Sequence, residues 1–248
     1  YRGGSSTQGY EWKDEYYEGC GIEATSEKTA EQVWDEMYKK MLSSIYSNNG
    51  FWISRYEAGI DGSDRDISLA LKENTTISSP STKAVSKKDM IPYNFVNCSQ
   101  AQKLASKMST SSNKTSSLLF GIQWDLACNL DQIDIKTDSY KWGNYANTEF
   151  KITSTNAKQY ISSWQTIENF KKEKMSLLST GASEYTRILN IYDFAGNEWE
   201  WTLAHATIEA PNSDRGGSYR NNSEDCPVSH FSHYNKGCIE IGFRVTFY

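Results

Sequence analysis

The amino-acid sequence predicts a single α+β domain in which two helices flank a small antiparallel sheet and much of the chain is irregular. Three observations lead to this fold class. Two segments carry apolar residues at helical spacing after capping-box sequences, and several short runs are rich in β-branched and aromatic residues. The stretches between them are rich in Ser, Thr, Asn and Asp, a composition typical of loops. With 248 residues, the chain is long enough to bury its own core.

Charge and hydropathy exclude two classes of protein. The net charge is −5 and no run of Lys or Arg is present, so we expect no nucleic-acid partner. No apolar run approaches the roughly 20 residues that a membrane-spanning helix needs, so we expect no direct membrane insertion. The five cysteines contain no Cys-x-x-Cys pair, which is too sparse for a disulfide scaffold and leaves the redox compartment open.

The first helix is predicted to begin at Thr29, after a lead segment (residues 1–28) that we expect to lie along the domain surface. Thr29 and Gln32 have the spacing of a capping box. Apolar residues then recur at helical intervals, and the sequence Asn-Asn-Gly at 48–50 supplies a stop signal. The helix therefore has one apolar face that must pack on the rest of the domain.

The middle of the chain is predicted to hold one further long helix among short elements. Residues 51–57 form a β-branched and aromatic run that predicts a strand, and 59–90 have few apolar anchors and predict a long connection. A capping-box pair, Ser99 and Gln102, predicts the second helix. Trp124 is predicted to start a short third helix, and residues 130–190 to form short strands and loops.

The last third of the chain predicts strands on both sides of an exposed loop. Large aromatics alternate with carboxylates over 191–202, where Trp199 and Trp201 fall on one face of the predicted strand and are expected in the core. Residues 241–245 predict a further strand. The roughly 20 residues before it, which we call the C-terminal segment (residues 219–240), are predicted to be exposed.

The residues that border the C-terminal segment have predicted structural roles. Gly216 and Gly217 are expected to allow a tight bend at its start. Arg215 and Arg244 are expected to tie its ends through charge-assisted hydrogen bonds.

These landmarks, in this order, resemble the formylglycine-generating enzyme/sulfatase-modifying family, which has an irregular variant of the C-type lectin fold. The resemblance is carried by Gly-Phe-Trp-Ile-Ser-Arg-Tyr-Glu at 50–57, Gln-Trp-Asp at 123–125, residues 193–202, Arg-Gly-Gly-Ser at 215–218 and Gly-Phe-Arg at 242–244. It spans about residues 50–244. It implies a C-type lectin-like domain over residues 29–248.

The resemblance also offers an enzymatic alternative, which the residue types disfavour. Enzymes of the family place two reactive cysteines just after Arg-Gly-Gly-Ser, where they bind copper and use it with oxygen on a substrate cysteine. In this chain the first of these positions holds Asn221 and the second holds Cys226. One thiol cannot form a two-thiolate Cu(I) site, so we predict that the chain is not an enzyme.

The C-terminal segment looks more like that of diversity-generating retroelement variable proteins, which end in Arg-Gly-Gly-Ser, an Asn-rich variable stretch and Gly-Phe-Arg. This resemblance implies a diversified surface that binds a macromolecular ligand, and Tyr, Asn and Ser suit recognition. An ordinary polar loop without a partner is the alternative. The candidate ligand-binding residues are Tyr219, Arg220, Asn221, Asn222, Glu224, His230, Phe231, Ser232, His233, Tyr234, Lys236 and Ile239.

The whole pattern, including Gly-Ala-Ser-Glu at 181–184, is also similar to surface proteins of Gram-positive bacteria and phages. This resemblance implies an extracellular setting, on a bacterial cell surface or a phage virion, and a protein or glycan ligand on a cell surface. A purely structural module of a pilus or phage tail is the alternative.

The resemblance to the formylglycine-generating enzyme/sulfatase-modifying family also implies a Ca²⁺ site in the segment 193–200. Carried over by position, Asp193 and Glu200 supply side-chain oxygens, while Gly196 and Glu198 supply carbonyl oxygens. The alternative is a tight turn in which Asp193 caps backbone amides and Glu200 pairs with an arginine.

A zinc site is a further alternative within the C-terminal segment. Cys226, His230, His233 and Cys238 offer two thiolates and two imidazoles, but their spacing does not match the usual pairs of zinc ligands. We therefore expect Cys226 to be a small buried apolar residue or half of a disulfide. His205 receives no predicted role.

Overall fold

The computed structural model describes residues 13–61, 76, 80, 82–111, 113–129, 139–207 and 210–248. Within these ranges the chain forms four α-helices and fourteen short strands, which confirms the α+β class. The helices are α1 (Asp14–Gly19), α2 (Ala30–Asn48), α3 (Cys98–Ala105) and α4 (Gly121–Cys128).

The strands build one central sheet and several smaller ones. In spatial order, the central sheet consists of β12 (Phe231–His233), β11 (Asn212–Arg215), β10 (Trp199–His205) and β13 (Ile241–Phe243). Its pairs are antiparallel except β10 and β13, which run parallel. A second sheet has the order β1 (Trp52–Ile53), β14 (Val245–Phe247) and β4 (Ser116–Leu118), and a third has β6 (Trp164–Thr166), β5 (Lys158–Tyr160) and β7 (Leu177–Leu178). Two strand pairs remain, β2 (Gly59–Ile60) with β3 (Ala84–Val85), and β8 (Arg187–Ile188) with β9 (Ile191–Tyr192).

The helix α2 forms as predicted because its start and its buried face are encoded locally. Thr29 Oγ1 accepts a hydrogen bond from the Gln32 amide (3.2 Å), and Gln32 Oε1 accepts one from the Thr29 amide (2.9 Å). The helix ends where Asn49 adopts a left-handed conformation, with φ at 55°. The Trp34 indole, buried on its apolar face, donates to the Leu203 carbonyl (3.1 Å) and so fixes α2 to β10.

The predicted start of α3 is wrong by two residues. Asn97, not Ser99, is the N-cap: its Oδ1 accepts from the Gln100 amide (2.9 Å), and Gln100 Oε1 accepts from the Asn97 amide (3.1 Å). Gln102 is instead buried, and its Oε1 accepts from the Leu118 amide (2.9 Å). The side chain that was expected to cap α3 therefore joins it to β4.

The main core lies where α2 and α3 pack on the sheets. Trp199 and Trp201 both belong to it, which confirms the prediction from their alternation in the sequence. Because the Trp201 indole donates to the Val96 carbonyl (2.8 Å), its polar atom is satisfied inside the core.

The lead segment was predicted to lie along the domain surface, and its residues 23–28 are exposed, but three side chains before them enter the core. Tyr17, Cys20 and Ile22 are buried in the main core, and the Tyr17 ring meets His205 edge-on with centroids 4.6 Å apart. Residues 13–22 are thus part of the domain, although the Gly- and Tyr-rich composition of this region carries no helical periodicity. Residues 1–12 lie outside the described ranges.

Three other predicted elements differ in extent. The strand predicted over 51–57 is limited to β1, and α4 begins three residues before Trp124. The connection 59–90 lies partly outside the described residues, but β2 and β3 within it are buried and pair with each other. Residues 139–190 hold short strands, 3-10 turns and loops, as predicted, while 130–138 are outside the described ranges. In the part of the chain that the structure describes, none of the helices has the length and apolar character that a membrane crossing requires.

Candidate functional site

The C-terminal segment starts from a bend that requires glycine. Gly216 and Gly217 have φ values of +97° and +77°, which confirms the predicted bend. A Cβ on Gly217 would lie 2.5 Å from the Cys226 carbonyl oxygen. The bend therefore allows the chain to leave β11 and pass directly against the segment that follows.

Two predicted ligand contacts are instead core residues. Tyr219 is 2% exposed and Ile239 is 7% exposed, and both pack with Phe95, Tyr160 and Leu177. They stand at the two ends of the C-terminal segment, where the chain leaves and re-enters the folded body. Their side chains are therefore anchors of the segment, and the prediction that they contact ligand is corrected.

A third predicted contact, Asn221, also serves the fold. Its Oδ1 accepts hydrogen bonds from the Ser218 amide (2.8 Å) and the Ser218 hydroxyl (2.9 Å), and its carbonyl accepts from the Ala146 amide (2.9 Å). Asn147 continues this clamp, since it accepts from the Ser223 amide (3.1 Å) and donates to the Glu224 carboxylate (2.9 Å). Residues 145–148 thus hold the first third of the segment.

The clamp is supported by a buried lysine that the sequence analysis did not single out. Lys172 Nζ donates to the carbonyls of Tyr145 (2.6 Å) and Thr148 (2.9 Å) and lies 5.7 Å from the centre of the Phe150 ring. Burial lowers the pKa of Lys172 to about 8, and the Glu149 carboxylate opposes this shift. No signal in the sequence distinguishes this lysine from its neighbours Lys171 and Lys174.

The remaining predicted contacts face solvent to different degrees. Asn222, Glu224, His233, Tyr234 and Lys236 are exposed, while Arg220, His230, Phe231 and Ser232 are half-buried. Together these nine residues form what we call the outer surface of the segment. Positively and negatively charged side chains are interspersed on this surface. Arg220 forms a salt bridge with Glu240 (3.2 Å).

The half-buried members of the outer surface rest on defined neighbours. Because β12 pairs with β11, Phe231 lies opposite Arg215, and its ring centre is 5.1 Å from the Arg215 guanidinium carbon. His230 meets Trp199 edge-on at 5.6 Å. Burial, with a smaller contribution from the charge of Arg215, lowers the pKa of His230.

A buried carboxylate lies beneath this strand. Asp214 is 2% exposed, stands opposite Ser232 in the ladder of β11 and β12, and accepts a hydrogen bond from the Ser232 side chain. Its Oδ1 has no hydrogen-bond partner among the described residues. Burial raises the pKa of Asp214 to about 7. Sequence analysis missed this residue because a short polar run gives no signal of burial.

Arg215 ties the segment as predicted, whereas Arg244, which was predicted to do the same, bonds to other parts of the fold. Arg215 donates to the Ser229 carbonyl (3.1 Å) and to Asp125 (3.0 Å). Arg244 is fully buried, and its Nη2 donates to Glu200 (2.7 Å). Since the remaining donors of Arg244 reach backbone carbonyls of two other segments, one side chain joins three parts of the fold.

The two side chains predicted to bind Ca²⁺, Asp193 and Glu200, both accept hydrogen bonds from the protein. The two carboxylate oxygens of Asp193 accept from the Gly181 amide (2.6 Å) and the Thr186 hydroxyl (2.7 Å), and those of Glu200 accept from Arg244. Ca²⁺ needs six to eight oxygen ligands, and these side-chain oxygens already have protein donors. The arrangement matches the alternative drawn from the sequence, a turn in which Asp193 caps and Glu200 pairs with arginine.

The other two residues of the predicted calcium set are also packed within the fold. Gly196 has φ at +71° and donates through its amide to the Gly216 carbonyl (2.9 Å), and the buried Glu198 side chain lies against Gly242. Burial raises the pKa of Glu200 to about 7, against the effect of Arg244. Within the described ranges, no three His, Cys, Asp or Glu side chains are gathered as a metal site, including the four residues of the zinc alternative.

Cys226 has the properties of a packed thiol. It is half-buried, contacts the main core and is not part of a disulfide. Burial, followed by the charge of Asp225, raises the pKa of Cys226, which disfavours the thiolate that copper binding or nucleophilic attack needs.

Comparisons with known proteins give one family. The model of the sulfatase-modifying factor enzyme 1-like domain matches residues 45–247. Among solved structures, the crystal structure of CarF is 18% identical with a TM-score of 0.35, and the match covers 53% of this chain and 47% of that chain. Treponema denticola variable protein 1 is 15% identical with a TM-score of 0.31, and the match covers 83% of this chain and 65% of that one. The chain thus spans less than two thirds of the length of either protein. Among curated proteins, no match is found.

Proposed function

Because the chain belongs to the sulfatase-modifying factor enzyme 1-like domain family, we propose that it is a non-enzymatic member that binds a macromolecular ligand through the outer surface of its C-terminal segment. The ligand is a protein or glycan on a cell surface. The chain itself acts outside the cell, on a bacterial surface or a virion. Support for this setting comes from the resemblance of residues 50–57 and 181–184 to displayed proteins of bacteria and phages.

The observation that carries the proposal is that the rest of the fold donates three hydrogen bonds to backbone carbonyls of the segment. The carbonyls of Val228, Ser229 and Cys238 accept from Trp124 (3.0 Å), Arg215 (3.1 Å) and the Phe95 amide (2.9 Å), respectively. The donors lie outside the segment. Since every residue offers the same carbonyl, these bonds survive when the side chains of the outer surface change.

The chemistry of the outer surface suits recognition. Phe231 and Tyr234 offer aromatic area at low cost in conformational entropy, while Asn222 and Ser232 offer adaptable hydrogen bonds. Charged groups of both signs, among them Lys236, favour a protein or glycan over a polyanion.

The oxidase alternative lacks its reactive groups. Asn221 occupies the position of the first family cysteine and uses its side chain to cap Ser218, and the thiol of Cys226 is held in its neutral form by burial. Incubation of the chain with Cu(I), oxygen and a cysteine-containing peptide is expected to give no formylglycine by mass spectrometry. Formation of that product would restore the enzymatic alternative.

The binding proposal is tested with a fluorescently labelled chain on a glycan array and on a panel of whole bacterial cells. The double variant Phe231→Ala/Tyr234→Ala is expected to reduce retention at least about tenfold on any surface that binds the wild type, since it removes two central aromatic contacts. Its melting temperature is expected to stay close to that of the wild type, because both side chains are partly solvated.

A matched control removes two exposed aromatics elsewhere. Tyr46 is 88% exposed and Trp52 is 74% exposed, and neither belongs to the C-terminal segment. The variant Tyr46→Ala/Trp52→Ala is expected to bind like the wild type. Equal binding by the Phe231/Tyr234 variant, or loss of binding in the control alone, contradicts the proposed site.

A further inference from the structure

Two buried cysteines meet at the junction of residues 13–22 with the rest of the domain, away from the proposed ligand-binding surface. Cys20 directly follows α1, and Cys98 is the first residue of α3. Both side chains are fully buried in the main core, and Cys20 lies beside His205. Residues 13–22 precede the region matched by the family model, whereas Cys98 lies within that region.

The two chain segments touch closely enough for a covalent link. The two thiols lie close enough to interact with each other, while Cys20 Sγ donates to Asn212 Oδ1 (3.1 Å) and Cys98 Sγ donates to the Thr202 carbonyl (3.6 Å). The next residues along each segment are in backbone contact: a Cβ on Gly21 would lie 2.8 Å from the Ser99 carbonyl oxygen. Disulfides need Cα atoms about 4.4–6.8 Å apart, a separation that such backbone contact supports.

The surroundings give the two thiols different chemistry. The hydrogen bond from Cys98, and then the hydrogen bond and charge of His205, lower the pKa of Cys20 against the opposing effect of burial. Burial, followed by the interaction with Cys20, raises the pKa of Cys98. A thiol with a lowered pKa is the better attacking group, and its neighbour then resolves the intermediate.

We propose that Cys20 and Cys98 form a disulfide that fastens residues 13–22 to the domain. The oxidant is a small-molecule disulfide of the glutathione type. The Cys20 thiolate attacks one of its sulfurs, which forms a mixed disulfide and expels one thiolate. Cys98 then loses its proton and attacks the Cys20 sulfur, which forms the Cys20–Cys98 bond and expels the second thiolate. Two protein thiols are oxidised, and one small disulfide is reduced to two thiols.

The oxidant reaches the buried pair when α1 opens. This helix has six residues and no side-chain cap at its start, so its detachment exposes Cys20 while the rest of the domain stays folded. Once formed, the bond closes a loop of roughly 80 residues, which restricts the unfolded chain. We expect the oxidised chain to melt about 5–10 °C above the reduced chain.

The test uses the full chain equilibrated with a mixture of oxidised and reduced glutathione, and a parallel sample in dithiothreitol. After denaturation and alkylation, peptide mapping is expected to find one cross-linked pair, Cys20 with Cys98, and alkylation of Cys128, Cys226 and Cys238. The rise in melting temperature is expected to vanish in dithiothreitol and in the variant Cys98→Ser. The variant Cys226→Ser, which removes the half-buried thiol outside the pair, is expected to keep the rise.

The wild-type peptide map alone decides the proposal if Cys98→Ser fails to fold. Alkylation of both Cys20 and Cys98 in the glutathione-equilibrated sample overturns it, as does a cross-link between any other two cysteines. Because this readout involves no ligand, its result is independent of the proposed binding function.

Discussion

Asp214 makes the stability of the strand beneath the outer surface depend on pH. Its carboxyl is buried on β11, and one of its oxygens lacks a hydrogen-bond partner among the described residues. Burial therefore raises its pKa to about 7, although the Ser232 hydroxyl lowers it in part. The perturbation is the variant Asp214→Asn, which keeps the shape of the side chain and cannot titrate.

The sign and size of the effect follow from the two pKa values of Asp214. The unfolded chain releases this proton near pH 4, whereas the folded chain keeps it up to about pH 7. Between these limits the folded state binds more protons than the unfolded state, so the stability of the wild type falls as pH rises, by about 1.4 kcal/mol per pH unit. From pH 4 to pH 8 the variant is therefore expected to gain about 4 kcal/mol relative to the wild type.

The assay is urea unfolding of both proteins from pH 4 to pH 8, followed by tryptophan fluorescence. Because other buried carboxyls titrate in both proteins, only the difference between the two free energies of unfolding reports on Asp214. The control is Asp225→Asn, an exposed aspartate of the C-terminal segment, whose difference from the wild type is expected to stay within about 0.5 kcal/mol. If the difference for Asp214→Asn changes by less than about 1 kcal/mol across this range, the reasoning about its burial is refuted.

Two further predictions concern the residues that border the C-terminal segment. Arg244→Met is expected to lower the free energy of unfolding by about 3–5 kcal/mol, because it leaves the buried Glu200 carboxylate without its cation. A loss below about 1 kcal/mol in urea unfolding would show that the pair is dispensable. Gly217→Ala is expected to lower the free energy of unfolding by about 1–3 kcal/mol, since alanine is strained at a φ of +77° and its Cβ meets the Cys226 carbonyl. An unchanged thermal midpoint would mean that the backbone of the bend relaxes to accept the alanine.

The sequence predicts those elements of the fold whose signals are local and unambiguous. The helix α2 is encoded by its own cap and stripe, and Trp199 and Trp201 alternate as core residues of a strand must. The start of α3 was misplaced because two overlapping pairs, Asn97 with Gln100 and Ser99 with Gln102, both fit the capping-box pattern. The choice between them is made by a distant contact, since Gln102 bonds to β4.

The candidate site was harder to predict because its residues are assigned by partners far away in the chain. Tyr219 and Tyr234 are both tyrosines of the same polar segment, and the sequence does not distinguish them. Tyr219 is nevertheless in the core, whereas Tyr234 is exposed. The difference arises because Phe95, from a distant loop, and Leu177, from β7, pack around Tyr219. In the same way, the acidic pattern around Asp193 suggests an ion until its hydrogen bonds to residues of another loop are known.

In the C-terminal segment, some residues anchor the segment to the fold and others expose their side chains to a ligand. Tyr219, Asn221 and Ile239 act through their own side chains, so replacing them changes both the framework and the surface. His233 is exposed and is held through the strand ladder of β11 and β12, so replacing it changes mainly what a ligand meets. Among the residues of the outer surface, exposed ones such as His233 and Lys236 are therefore expected to tolerate substitution at little cost in folding free energy.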